Sequence, residues 1–135
     1  MGSRGNTYLT HRNDKSQAIT DHIDLYWHSD GHNNENYTRI GLKACKPRWN
    51  DPSYGTAMFL GALDAAKKWP SGISIGSFDD NEHDLFEVCW TDRKVRKWPR
   101  NAHAKSDILN DLSKALESWT FQEFVDFVVA LPDLD

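Results

Sequence analysis

The sequence predicts an α+β fold: a mainly antiparallel sheet of about four strands, paired as two hairpins, with one central helix and two C-terminal helices. Three observations carry this. Apolar residues alternate with polar ones around Ile23, Leu25 and Trp27, and again around Phe86, Val88 and Trp90, which is the period of half-buried strands. Phe59, Ala62, Leu63 and Ala66 recur instead at helical spacing. The resulting order β, β, α, β, β, α, α leaves one connection that could be a helical crossover, so antiparallel pairing dominates.

Taken in order, residues 1–18 are polar and lack a clear period, and an irregular segment is expected there. A first strand is expected over 22–29. Past the polar loop 30–36, Ile40, Leu42 and Ala44 alternate with Arg39, Lys43 and Cys45, which predicts a second strand closing a hairpin with the first. Asp51 followed by Pro52 marks a helix start, and Pro70 a stop, so a helix should run from 53 to 68. Ile73 and Ile75 form a short strand. The turn-forming Asp79, Asp80, Asn81 and Glu82 separate it from the Phe86–Trp90 strand, predicting a second hairpin. Residues 93–100 extend that strand or form a loop. Leu109, Leu112, Leu116 and Trp119 mark one face of a helix. Thr120 to Glu123 then fit a capping box opening another through Phe124 and Phe127.

Composition bounds the function. A chain of 135 residues, 39% apolar and 27% charged, suits one globular domain over 1–135. Its net charge of −4 argues against a general duplex-DNA binder. The charge is segregated: residues 39–105 carry twelve basic and eight acidic groups, whereas 106–135 carry one and seven. Two fields of opposite sign can steer different partners or complement each other within the fold. Cys45 and Cys89 lack Cys-x-x-Cys spacing, so reduced structural thiols are expected. There is no apolar leader and no apolar run long enough to cross a membrane, so a cytoplasmic protein without membrane association is expected.

Three basic-tryptophan clusters stand out: Arg48 with Trp49, Lys68 with Trp69, and Arg96, Lys97, Trp98 and Arg100. Tryptophan beside a cation supplies a stacking face and a phosphate or carboxylate contact together, the chemistry of nucleotide and single-stranded nucleic acid sites. If the three clusters share one rim, Trp98→Ala should abolish binding and leave the fold intact. The competing reading is packing, with lysine and arginine stems laid over half-buried rings.

His28, Asp30 and His32 have metal-ligand types and enter a loop, but no recognised ligand motif supports them, and solvated histidines on a hairpin explain them as well. Phosphate-loop and dinucleotide fingerprints are missing, so no cofactor is expected. In the acidic C-terminal part, Asp111, Trp119, Glu123 and Asp126 describe either an ordinary amphipathic pair or an aromatic-anchored acidic patch that occupies a partner's groove.

The sequence therefore favours a non-catalytic binding protein, a small acidic interaction or inhibitor protein whose partner is another protein. Capture of a nucleotide or single-stranded nucleic acid comes second. A small metal- or Cys/His-dependent hydrolase, with Cys89 as nucleophile, comes third. Nothing in the chain specifies an oligomeric state.

Overall fold

A computed structural model of the chain describes residues 4–27, 33–65, 73–76, 82–102 and 107–126. It is an α+β fold in which six strands form one mixed sheet of order β3-β2-β1-β4-β5-β6. The strands are β1 Gly5–Arg12, β2 Ile19–Trp27, β3 Ile73–Gly76, β4 Leu85–Cys89, β5 Lys94–Trp98 and β6 Glu117–Thr120. The α-helices are α1 Asn34–Ala44, α2 Pro52–Ala65 and α3 Phe121–Asp126. All strand pairs are antiparallel except β1 with β4, which run parallel with Thr7 beside Phe86 and Thr10 beside Cys89.

The segment expected to be irregular is instead a central strand. β1 escapes a periodicity search because polar residues occupy both of its faces. Each is consumed inside the protein: Asn6 donates to the Leu25 carbonyl, Trp27 Nε1 donates to Thr7 Oγ1, and Thr10 and Arg12 both donate to Glu87. A buried polar strand of this kind is stable only because its hydrogen bonds are complete.

The second expected strand is corrected to helix α1. Tyr37, Thr38, Gly41, Leu42 and Cys45 form the buried stripe, a helical spacing, and the apparent alternation of Ile40, Leu42 and Ala44 is a coincidence of that stripe. Gly41 permits the close approach of α2: a Cβ there would lie 2.7 Å from the Phe59 ring. The two hairpins are re-partnered as well. β2 closes on β1 through a turn in which Gln17 takes positive φ, β3 joins β2 from the far side, and β4 pairs with β5. The first C-terminal helix is replaced by two short 3-10 turns, Asp107–Asn110 and Leu112–Lys114, followed by β6.

Other expectations hold. α2 begins as its proline predicts, with Asp51 accepting from the Tyr54 amide, and residues 66–68 of the expected helix lie outside the described residues. The capping box at α3 is formed, since the Thr120 amide donates to Glu123 Oε1 at 2.8 Å and the Glu123 amide donates to Thr120 Oγ1 at 3.1 Å.

Both faces of the sheet are covered, which is why all five residues of β4 are buried. On one face Leu9, Leu25, Trp27, Phe86, Val88 and Val95 pack against Tyr37, Leu42, Phe59, Phe121 and Phe124 of the helices. On the other, Tyr8, Leu85 and Trp98 pack against Ala102 and Leu109 of the segment that carries the 3-10 turns. No described helix is long and apolar enough to cross a membrane.

Candidate binding cleft

The second face holds the most elaborate polar cluster of the described residues, built around Glu87. Glu87 is fully buried. Its Oε2 accepts from Thr10 Oγ1 at 2.6 Å and Arg12 Nε at 2.8 Å, and its Oε1 accepts from Arg12 Nη2 and Trp98 Nε1, each at 3.0 Å. Those four bonds use the acceptor capacity of a carboxylate. Arg12 Nη1 is held by the Gln17 carbonyl, which ties the strained turn to the cluster. Arg96 adds a second guanidinium: Nη1 lies 3.6 Å from Glu87 Oε1, and Nη2 pairs with Asp92. Burial opposes the Arg96 charge, but the Glu87 and Asp92 carboxylates more than offset it and hold its pKa above the ordinary range. A carboxylate so fully engaged has no capacity left for a substrate, so the cluster is structural.

Next to it on the same face, register places Tyr8 opposite Asp24 and Thr10 opposite His22. Asp24 is buried, and its Oδ1 lies 2.5 Å from His22 Nδ1, while the His22 side chain is 37% exposed. A buried carboxylate on one imidazole nitrogen fixes the ring and presents the other outward.

On the helix-covered face, the other side of β2 from that ring, a cleft of about 330 Å³ opens where β1 and β4 end. Trp90, whose backbone amide donates a hydrogen bond to the Thr10 carbonyl of β1, and Leu9 form its apolar floor. Ile23, 37% exposed, is its open apolar edge. His11 and Asp21, opposite each other across the β1–β2 pair, supply polar groups, and Thr56 closes the cleft from α2. Gly55 makes that closure possible, because a Cβ there would lie 2.9 Å from the Arg48 carbonyl oxygen and 3.1 Å from the Trp90 ring. The carboxyl ends of neighbouring parallel strands are where open sheets commonly take ligands, since the strands stop there and the covering helices leave a crevice.

The described basic-tryptophan residues do not share a rim. Trp98 is fully buried in the second-face cluster. Trp49 belongs to the helix face, half-buried with its Nε1 donating to the Leu42 carbonyl and its ring edge-on to Phe121 at 5.3 Å. Arg48 sits 4.7 Å from the exposed Tyr54 ring, Arg96 is buried, Lys97 reaches Asp84 and Glu117, and Arg100 is exposed. Lys68 and Trp69 lie outside the described residues, as do His28, Asp30 and His32. No group of three metal-ligating side chains occurs among the described residues.

Of the acidic candidates, Trp119 is half-buried, stacked toward Phe86 and tilted against Phe124. Asp111 accepts from the hydroxyl and amide of Ser113, which hold its carboxyl below the ordinary range. Glu123 serves the capping box and Asp126 accepts from Gln122; all three carboxylates remain exposed. The cleft itself went unrecognised in the sequence because His11, Asp21 and Thr56 come from three separate elements, one of them read as irregular.

Both thiols are buried and free. Burial pushes Cys45 from its ordinary 9.0 up to about 11 and also raises Cys89, so neither is an activated nucleophile. Iodoacetamide at pH 8 should therefore modify neither residue in the folded protein and both in urea, as intact mass will report. The sign for stability follows from the raised value. An unfolded Cys45 loses its proton near pH 9 and the folded one near 11, so its contribution is complete below pH 9 and lost by pH 11. The loss should be about 2–3 kcal/mol.

Comparison with protein-family models, with curated proteins and with solved structures returns no match for this chain.

Proposed function

We propose that this is a non-catalytic interaction protein of the cytoplasm that accepts an apolar anchor side chain of a protein partner in the cleft between β1, β2, β4 and α2. The observation that carries the reading is the cleft's make-up: an apolar floor of Trp90 and Leu9, an exposed Ile23 at its edge, and a polar rim of His11, Asp21 and Thr56. An apolar pocket within a polar rim is the anatomy of an interface hot spot, and a volume of about 330 Å³ accommodates one large side chain. The saturation of Glu87 and the inert thiols remove the most reactive groups of the described residues from candidate chemistry.

A photo-crosslinking residue at position 56 tests this in cells. It should capture one protein, and Ile23→Asp should abolish the adduct while Lys43→Glu on the exposed side of α1 should not. An adduct indifferent to Ile23→Asp contradicts the proposal. A second reading rests on the Asp24–His22 pair, whose geometry suits a general base toward a small molecule on the second face of the sheet, away from the cleft. Turnover lost in His22→Ala, with partner binding never detected, would favour it.

A further inference from the structure

A second cleft, of about 340 Å³, lies on the opposite face of the sheet between β5, β6 and residues 112–116. Register places Arg96 opposite Ser118 and Lys94 opposite Thr120, so Arg96, Lys94 and Ser118 share one side of this strand pair. Arg96 is 4% exposed, and its Nη1 has no hydrogen-bond acceptor among the described residues. Its nearest carboxylate oxygen, Glu87 Oε1 at 3.6 Å, already accepts from Arg12 and Trp98. A buried guanidinium nitrogen left without an acceptor is an uncommon feature in a native fold and points to a missing partner. The apolar side of the cleft is formed by Leu112, Ala115 and Leu116, and Leu116 is 51% exposed at its outer lip. An unmatched donor and an exposed leucine in one cleft are two independent signs of a ligand that is anionic at one end and apolar at the other.

We propose that this cleft binds a small carboxylate bearing an apolar group. The carboxylate accepts from Arg96 Nη1 and pairs with Lys94 and Ser118, and the apolar group packs on Leu112 and Leu116. Charge selects a monoanion. Arg12 balances Glu87 and Asp92 pairs with Arg96, which among the described residues leaves Lys94 as the uncompensated charge of the cleft, and Glu117, though it lines the cleft, directs its carboxylate to Lys97. Leu116 lines the same cleft as Arg96, so its methyl groups report binding directly.

The test is an NMR titration of the isotope-labelled full chain with hexanoate, 1-hexanol and inorganic phosphate in parallel. Hexanoate should produce saturable shifts at the Arg96 side chain, the Ser118 amide and the Leu116 methyls, and both other probes should bind more weakly at those positions. Lys94→Glu, at an exposed position, should weaken hexanoate about tenfold with the remaining spectrum unchanged. The proposal is overturned by the lack of saturable shifts with hexanoate, by equal binding of hexanol or phosphate there, or by unchanged affinity in Lys94→Glu.

Discussion

Replacing Glu87 by alanine is expected to remove about 3–5 kcal/mol of stability, a large share of what a small domain possesses. The substitution strips four hydrogen bonds at once and leaves Arg12, whose side chain is 1% exposed, and Arg96, at 5%, beside each other without the charge that joins them. Urea unfolding will read this as a lowered midpoint at unchanged slope. The penalty belongs to the uncompensated guanidinium groups rather than to the net worth of the ion pairs. Replacing Glu87, Arg12 and Arg96 together by leucine or methionine should therefore recover most of it. A Glu87→Ala protein within about 1 kcal/mol of the parent would contradict the account of the cluster.

Trp98→Ala should be nearly as costly, about 3–5 kcal/mol, because a fully buried indole leaves a cavity that Tyr8, Leu85 and Leu109 only partly collapse into. It also withdraws the donor on Glu87 Oε1, so its effect and that of Glu87→Ala should be less than additive in the double variant. Trp49→Ala, at a half-buried ring, should cost clearly less, and thermal unfolding of the two variants side by side measures the contrast. This inverts the expectation drawn from the basic neighbours of Trp98. In β5 the alternation of a strand sends Arg96 and Trp98 to one face and Lys97 to the other, so adjacency in sequence separates these groups in space.

The same physics explains how much of the fold the sequence disclosed. β2, β3, β4, α2 and the start of α3 were legible because each carries a local signal: alternation, helical spacing, a proline at a helix start, or a capping box. β1 was not, because its stability resides in hydrogen bonds to residues some twenty to eighty positions away, such as Asn6 to Leu25 and Arg12 to Glu87. Once β1 is missed, the parallel β1–β4 pair and the six-stranded order cannot be inferred. α1 misleads for a different reason: its glycine and threonine are buried by contact with Phe59 and with Thr7, so the stripe that faces the sheet is not apolar enough to advertise a helix. The cleft inherits both failures, since His11 comes from β1 and its companions from elements whose pairing the sequence does not reveal.

Panning a displayed peptide library against the protein, with Ile23→Asp as the counter-selected surface, tests the central claim most directly. Peptides that converge on one apolar or aromatic anchor, lose binding to Ile23→Asp and shift the signals of Trp90 and Thr56 are the predicted result. Peptides that bind the parent and Ile23→Asp equally, or that leave Trp90 and Thr56 unmoved, would place recognition elsewhere and contradict the cleft as the partner site.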